Sequence, residues 1–275
     1  MNTIKRAFTL ILLITIVGFS CKKSAILPSL TEKPVDLTTH KLTTYSVIKN
    51  SKYLIVFETG LGDEASVWNE KQFPAQVSAS SDVLLYDRAG YGKSQKGPAP
   101  RDINKLRAEL EKVIDQSANG RKIILVGHSL GGMIIRDYAI KNPTKTAALL
   151  FVDPSHELYN HPTQAEEDFI YNTFNTAYGS DFGGTMEARD LIEDSQYMGL
   201  LPNLPNIPVI VLTSMKIDAS HTAADRQLWF NAHESLKVGV SDFTHITTIN
   251  SGHYIMRDEP ALVLNNIRLL LSKLP

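Results

Sequence analysis

A serine lies in a sequence context that can make it a nucleophile. Residues 127–131 read Gly-His-Ser-Leu-Gly, directly after an apolar run and directly before a helical pattern. A sharp turn from strand to helix projects the Ser129 hydroxyl away from the backbone, and the flanking glycines let neighbouring chain pass close. The helix N-terminus adds backbone N–H groups and a partial positive charge beside a developing anion. The pattern predicts a catalytic serine; a serine that only caps a helix is the alternative.

Such chemistry needs elements that hold the serine, and the sequence predicts a sheet for this purpose. Apolar runs of strand length without polar alternation are typical of parallel strands buried on both faces. These runs occupy residues 53–57, 83–86, 122–126, 147–152 and 209–212.

Helical patterns alternate with these strands. They cover residues 103–116, 130–141, 223–236 and 260–271, and the first has an apolar stripe opposite its charges. The alternation predicts an α/β fold with an open, doubly wound, mostly parallel sheet in one domain over residues 41–275.

Residues 155–206 interrupt the alternation without a clear buried strand. The segment holds the aromatic residues Tyr159, Phe169, Tyr171, Phe174, Tyr178, Phe182 and Tyr197. We expect a mostly helical cap over the C-terminal edge of the sheet, where open α/β sheets bind ligands. The aromatic side chains indicate an apolar or aromatic substrate group, or packing within the cap itself.

The sequence resembles the α/β-hydrolase family over essentially all of residues 41–275. Besides the serine turn, three segments carry this resemblance. They are residues 59–62 (Thr-Gly-Leu-Gly), residues 87–94 (Asp-Arg-Ala-Gly-Tyr-Gly-Lys-Ser) and residues 251–254 (Ser-Gly-His-Tyr). In the family the first of these is an oxyanion-hole loop, with histidine where Thr59 lies here. The second is a structural turn whose glycines permit tight backbone angles.

The resemblance implies roles for individual residues. The backbone N–H groups of Leu61 and Leu130 would form the oxyanion hole. His253, after a strand predicted over residues 245–250 and before the last helix, would be the catalytic base. His128 is expected to be a packed neighbour, because it faces away from the serine along the strand.

Two aspartates fit the acid of a serine–histidine–acid triad. Asp153 ends the strand that follows the serine helix, where some haloalkane dehalogenases of this fold have their acid. Asp218 follows the next strand, the more usual family position, but residues 214–218 (Ser-Met-Lys-Ile-Asp) lack the usual G-x-x-D turn. Asp153 is slightly preferred because the strand itself positions it. A strand-end turn residue and a surface carboxylate are the respective alternatives.

These residues predict a serine hydrolase that cleaves a carboxylic ester or lactone of a small substrate through an acyl-enzyme. Dehalogenases and epoxide hydrolases of the family use an aspartate where Ser129 lies. Peptidase, C–C hydrolase and acyltransferase activities share the same triad. A non-catalytic protein that binds a small ligand or partner on the same fold is the alternative of a different class.

Composition excludes several other classes. The 28 basic and 29 acidic residues give a net charge of −1, which argues against nucleic-acid binding. Cys21 is the only cysteine, so the body of the chain has no disulfide, zinc cluster or catalytic cysteine. We expect no metal and no cofactor, because neither an H-E-x-x-H motif nor a nucleotide-binding fingerprint is present.

The N-terminal residues predict a targeting signal. Lys5 and Arg6 precede an apolar run over residues 7–19, which is too short to span a bilayer but suits a secretory signal over residues 1–20. With a small residue, Ser20, directly before Cys21, the end of this segment resembles the lipobox of bacterial lipoproteins. That resemblance implies a lipid on Cys21 that anchors an exported protein at the cell envelope, on the periplasmic side, with residues 21–40 as a flexible tether. An ordinary cleaved signal is the alternative.

Overall fold

The computed structural model describes residues 29–275, which are built around one sheet of eight strands. The strand order is β1-β2-β4-β3-β5-β6-β7-β8, and only the β1–β2 and β2–β4 pairs are antiparallel. The strands are β1 (Thr31–Asp36), β2 (Lys41–Val47), β3 (Tyr53–Glu58), β4 (Asp82–Tyr86), β5 (Lys122–Ser129), β6 (Thr146–Pro154), β7 (Val209–Ser214) and β8 (Phe243–Thr248). The predicted α/β fold class with a mostly parallel sheet is confirmed.

Helices connect the parallel strands. They are α1 (Ser66–Asn69), α2 (Phe73–Val77), α3 (Ile103–Ser117), α4 (Leu130–Lys141), α5 (Gln164–Tyr178), α6 (Gly183–Glu187), α7 (Leu191–Gly199), α8 (Ala223–Glu234), α9 (Ile255–Asp258) and α10 (Pro260–Lys273), with a 3₁₀ turn at Ser235–Lys237. Local signals set several of these ends: the Asp102 side chain caps α3 by accepting from the N–H of Lys105 at 2.8 Å.

Both faces of the sheet are covered, which explains why the central strands read as unbroken apolar runs. Along β5, Leu125 belongs to the core beneath α3 and α4, whereas Ile124 and Val126 belong to the core beneath α2 and α10. All nine residues of β6 are buried. Each large aliphatic side chain buried in this way contributes about 1.5–3 kcal/mol to the free energy of unfolding.

The prediction of a flexible tether over residues 21–40 is wrong for residues 31–36, which form β1. There β1 pairs antiparallel with β2 along its whole length. The prediction was wrong for this part because an edge strand leaves most side chains exposed, so only Val35 of β1 is buried and no apolar pattern appears. Pro34 fits this position, since an edge strand has backbone N–H groups without a ladder partner. The signal sequence, Cys21 and the predicted tether up to residue 28 lie outside the described residues.

The helices α5, α6 and α7 lie between β6 and β7 along the chain, within residues 155–206, where a cap was predicted. A capping box begins α5: the Thr163 side chain accepts from the N–H of Glu166, and the Glu166 side chain accepts from the N–H of Thr163. Within residues 29–275, none of the helices combines the length and apolarity needed to cross a membrane.

One buried arginine joins these helices to the sheet. Arg88, just after β4, donates from Nε and Nη2 to the Glu187 carboxylate of α6, at 2.8 and 2.9 Å. Its Nη1 donates to Glu58 at the end of β3 (2.9 Å) and to the Thr59 carbonyl (2.8 Å), and its Nη2 also donates to the Gly60 carbonyl (2.8 Å). Arg88, Glu58 and Glu187 are at most 2% exposed. The guanidinium therefore fixes the loop after β3 and the cap at the same time.

We expect Arg88→Ala to lower the free energy of unfolding by about 3–5 kcal/mol, because it leaves two buried carboxylates without their cation. Urea unfolding followed by circular dichroism measures the loss. Arg257→Ala is the matched control: Arg257 also forms a two-bond pair with a glutamate, Glu70, but both side chains are more than one-third exposed. That control should cost less than about 1 kcal/mol. Equal losses in the two variants would contradict a special role for the buried network.

Candidate active site

Ser129 lies at the junction of β5 and α4 in a strained backbone conformation. Its φ is 52° and its ψ is −124°, outside the regions that residues with a side chain favour. Close packing holds this turn. A Cβ at Gly131 would lie 2.6 Å from the Thr59 carbonyl oxygen, and a Cβ at Gly127 would lie 2.7 Å from the Gly131 carbonyl oxygen. Only glycine fits at these two positions, so the predicted strand–turn–helix context of the serine is present.

His253 and Asp153 meet beside this turn. His253 Nδ1 lies 2.7 Å from Asp153 Oδ2, and Asp153 is fully buried at the end of β6. The other oxygen, Asp153 Oδ1, accepts from the N–H of Ser214 (2.9 Å) and from Trp229 Nε1 (2.7 Å). The carboxylate is therefore held from three sides, and it presents one oxygen to the histidine ring.

The charge state of Asp153 follows from these contacts. Burial raises the pKa of Asp153, but the hydrogen bond and charge of His253, aided by Trp229, outweigh burial and hold the pKa below its usual value. Asp153 is ionised at neutral pH and can orient His253 with its remaining nitrogen, Nε2, free for proton transfer.

Asp218 forms neither a hydrogen bond nor an ion pair with His253. It lies in a tight turn after β7, where it accepts from the N–H of Ser220 (2.8 Å) and pairs with His221 Nδ1 (2.9 Å). Its side chain is 41% exposed. Of the two aspartates left open by the sequence, Asp153 therefore has the contact that a triad acid requires.

His128 packs behind the pair. Its Nε2 donates to the His253 backbone carbonyl at 3.1 Å, and the two rings lie 4.5 Å apart between centroids. Complete burial lowers the pKa of His128, so the ring stays neutral. This contact positions the backbone of His253.

The loop after β3 passes directly against the serine. A Cβ at Gly60 would lie 3.1 Å from Ser129 Cβ. Leu61 of this loop and Leu130 at the start of α4 line one cavity together with Ser129. Arg88 holds the Thr59 and Gly60 carbonyls, so the peptide units that precede Leu61 have a defined orientation.

Two cavities open from Ser129, and they differ in polarity. The first, called here the apolar cavity, has a volume of about 470 Å³, and its apolar lining includes Leu61, Met133, Phe169, Ile170 and Leu191. The second, the polar cavity, has about 350 Å³ and contains Asp153, Asp218, His221, Arg226 and His253. Ser129, Ser155, Tyr159 and Asn160 line both. A substrate centred on Ser129 can thus place unlike groups on its two sides.

No hydrogen bond joins Ser129 and His253 within the described part of the chain; Ser129 Oγ instead lies 3.4 Å from Ser155 Oγ. A catalytic base often closes on its nucleophile only when substrate is bound. Sequence reasoning missed Ser155, because a serine two residues beyond a strand-end aspartate carries no distinguishing signal. Its N–H donates to the Ser129 carbonyl at 2.9 Å, which ties the end of β6 to the serine turn.

A buried histidine outside the candidate triad supports the strand that carries Asp153. His233 Nε2 donates to the Pro154 carbonyl (2.7 Å), and its Nδ1 lies 2.6 Å from Thr213 Oγ1. Burial lowers the pKa of His233 to about 3, so the ring is neutral at physiological pH. Over residues 29–275, no cluster of three side chains suited to a metal ion is found.

Known proteins resemble this chain in sequence and in structure. A family model described as "alpha/beta hydrolase fold" matches residues 53–265. The uncharacterized protein YqjL of Bacillus subtilis (strain 168) is 26% identical over 218 residues, which are 78% of this chain and 81% of that one. The human (lyso)-N-acylphosphatidylethanolamine lipase is 30% identical over 114 residues, covering 40% of this chain and 33% of the lipase.

Among solved structures, a thermophilic esterase from Thermogutta terrifontis superimposes with a TM-score of 0.69 at 16% identity, covering 90% of this chain and 99% of the esterase. At that identity the likeness concerns the fold. With the family model spanning most of the domain, and with the strand–serine–helix turn and the sheet order in agreement, the chain belongs to the α/β-hydrolase family.

Proposed function

We propose that this protein is a serine hydrolase that cleaves a carboxylic ester or lactone of a small substrate through an acyl-enzyme intermediate. Membership of a hydrolase family supports hydrolysis in general. The observation that carries the finer proposal is the 2.7 Å contact between His253 Nδ1 and the buried Asp153, beside a cavity that Ser129 also lines.

Acylation begins with the transfer of a proton. His253 Nε2 takes the Ser129 hydroxyl proton as Oγ attacks the carbonyl carbon of the substrate. The imidazolium that forms is stabilised by ionised Asp153, which stays ionised itself. His253 then gives the proton to the leaving alcohol as the C–O bond breaks.

The negative charge on the attacked oxygen needs donors placed in advance. We assign this role to the N–H groups of Leu61 and Leu130, which belong to the loop after β3 and the first residue of α4. Each such donor is worth about 3–4 kcal/mol of transition-state stabilisation in comparable sites. The bonds from Arg88 to the loop carbonyls support the role, because preorganised donors cost no reorganisation during the reaction.

Deacylation repeats these steps with water. His253 removes a proton from a water molecule as the water attacks the acyl-enzyme. It then gives that proton to Ser129 Oγ as the C–O bond to the serine breaks, which releases the acid and regenerates the enzyme. The difference between the cavities suggests their uses: the acyl group fits the apolar cavity, and the alcohol with the incoming water fits the polar cavity, which contains His253.

The apolar side chains beside Ser129, among them Leu61, Met133 and Phe169, fit the acyl group of an ester or lactone. One relative is named a lipase and one structural neighbour an esterase, which agrees with this choice. A protein that only binds a small ligand would share the fold and the cavities but would not turn substrate over.

We expect Ser129→Ala to lower kcat for p-nitrophenyl esters by at least about a thousandfold, because the nucleophile is lost while binding contacts remain. The measurement is a series of esters of rising chain length, with fluorophosphonate labelling of the wild type located by mass spectrometry. Ser155→Ala is the matched control, because it removes a neighbouring hydroxyl. This variant should still be labelled at Ser129. Turnover by the Ser129 variant close to that of wild type would refute the hydrolase mechanism; absence of both turnover and labelling in the wild type would favour a binding protein.

Asparagine substitutions separate the two aspartates. In Asp153→Asn an amide NH₂ faces His253, which favours the wrong imidazole tautomer and should lower kcat by up to about 10⁴-fold. Asp218→Asn should cost far less, because that side chain is hydrogen-bonded to His221 and not to His253. The comparison uses kcat for one ester, with unfolding curves to verify that both variants fold. A severe loss in the Asp218 variant alone would transfer the role of the acid to Asp218.

We also propose that the enzyme is exported and held at the membrane by a lipid on Cys21. The proposal depends on the basic residues 5–6, the apolar run over residues 7–19 and the small residue before Cys21. Several acyl chains on one residue would anchor firmly, since a single chain binds only marginally at about 0.8 kcal/mol per buried CH₂.

Cys21→Ser should release the protein from membranes or leave its signal uncleaved, while the hydrolytic activity of the body stays intact. Membrane fractionation and the intact mass of the mature N-terminus test this. A wild-type protein that is found in the soluble fraction and carries no acyl mass would disprove the anchor and indicate an ordinary secreted hydrolase.

A further inference from the structure

The wall of the apolar cavity contains one acidic side chain whose hydrogen bonding is incomplete. Asp194, in the cap helix α7, lines this cavity and is only 2% exposed. Its Oδ1 accepts from the N–H of Ile103 at the start of α3, at 2.7 Å. Its Oδ2 is buried and has no hydrogen-bond partner anywhere in residues 29–275.

An unpaired buried oxygen destabilises a fold, so its presence beside a substrate cavity calls for a partner. The bond to Ile103 needs only one oxygen and leaves the other unexplained. Among the other residues that line the cavity, His161, Glu166 and Ser195 have side chains that could form such a hydrogen bond. None of them is bonded to Asp194. No lysine or arginine lines the cavity, so no cation of the described residues pairs there with Asp194 Oδ2.

The protonation state decides which partner fits. Burial raises the pKa of Asp194 to about 8; the N–H of Ile103 opposes this, and the negative charges of Asp190, Asp102 and Glu187 add to it. At neutral pH the group is therefore an uncharged carboxylic acid with a proton to donate. A donor in this wall, beside apolar side chains such as Phe169 and Leu191, favours an acceptor atom on the substrate.

We propose that Asp194 is a specificity-determining residue, and that it donates a hydrogen bond to an uncharged oxygen, such as a ketone carbonyl, on the substrate's acyl chain away from the scissile ester. The inference rests on the proposed function, in which the acyl group of the substrate occupies the apolar cavity. It narrows the substrate class from apolar esters to esters of oxo-acids and similar oxygen-bearing acids.

Matched ester pairs test this assignment. The probes are the p-nitrophenyl esters of 5-oxohexanoate, 6-oxoheptanoate and 7-oxooctanoate, each compared with its methyl-branched counterpart (5-methylhexanoate, 6-methylheptanoate and 7-methyloctanoate). Each pair has similar size and differs in the acceptor oxygen. We expect wild-type kcat/KM to favour the oxo ester in at least one pair by about tenfold, the usual effect of one buried hydrogen bond.

Substitutions assign the preference to one side chain. Asp194→Leu should abolish the oxo preference, whereas Asp194→Asn should retain it, because the amide keeps an acceptor for Ile103 and supplies an NH₂ donor. Glu193→Gln is the matched control: Glu193 is the exposed neighbour on α7 and lies outside the cavity lining, so the ratio should not change. The readout is the ratio of kcat/KM for the oxo ester to kcat/KM for the methyl ester within each variant. A loss of folded protein lowers both rates equally and leaves this ratio unchanged.

The pH dependence gives a second readout. The wild-type oxo preference should fall as the pH rises above about 8, because an ionised carboxylate repels a carbonyl oxygen. The preference of Asp194→Asn should stay constant over that range.

Equal rates for oxo and methyl esters in every pair would overturn the inference, although cleavage of both would leave the proposed hydrolase intact. A preference instead for the ester of 6-aminohexanoate over hexanoate, increasing with pH, would also overturn it and would identify Asp194 as a carboxylate that binds ammonium. Cleavage of no ester would refute the proposed function itself.

Discussion

The geometry around Ser129 depends on a buried guanidinium. Burying Arg88 with Glu58 and Glu187 carries a large desolvation cost, which is recovered only when every donor and acceptor is used. That condition is met here: the second oxygen of Glu58 accepts from Tyr86, and the second oxygen of Glu187 accepts from Tyr91. Because these residues come from two strand ends, a turn and the cap, the parts of the site cannot shift independently.

The same network attaches the cap to the sheet. Glu187 belongs to the short helix α6, which packs few apolar side chains of its own, so charge-assisted bonds supply much of its attachment. Aromatic packing contributes the rest. Phe174, Tyr178 and Phe182 cluster with ring centroids 4.7–6.3 Å apart, and Phe182 also contacts Tyr91 at 4.8 Å. Of the seven aromatic residues in the predicted cap segment, only Tyr159 and Phe169 line the cavities at Ser129, so most of them hold the cap together.

Two residues of the candidate site have backbone conformations that residues with a side chain rarely adopt. Ser129 and Asp153 both have positive φ, at 52° and 46°, and both lie at the C-terminal ends of neighbouring parallel strands. The register between β5 and β6 is irregular at this point, where Ser129 pairs with Pro154. Such conformations persist only when the surroundings determine them, and here the glycine contacts and the bonds to Asp153 supply that constraint. The sheet edge thereby directs a hydroxyl and a carboxylate toward one histidine.

Local sequence patterns determined the parallel strands, the long helices and the serine turn, because these follow from runs of a few residues and from glycine at positions without room for a Cβ. The ends of each predicted strand lie within three residues of those of an observed strand. The edge strand β1 and its neighbour β2 gave weak signals, since neither contains an unbroken apolar run. Tertiary structure alone decided which aspartate meets His253, because the contact joins residues 100 positions apart and depends on how the loop after β7 turns. It also decided the burial of Arg88 and of Asp194: a charged residue carries the same local signal on a surface as in a core, and only the packed neighbours distinguish the two.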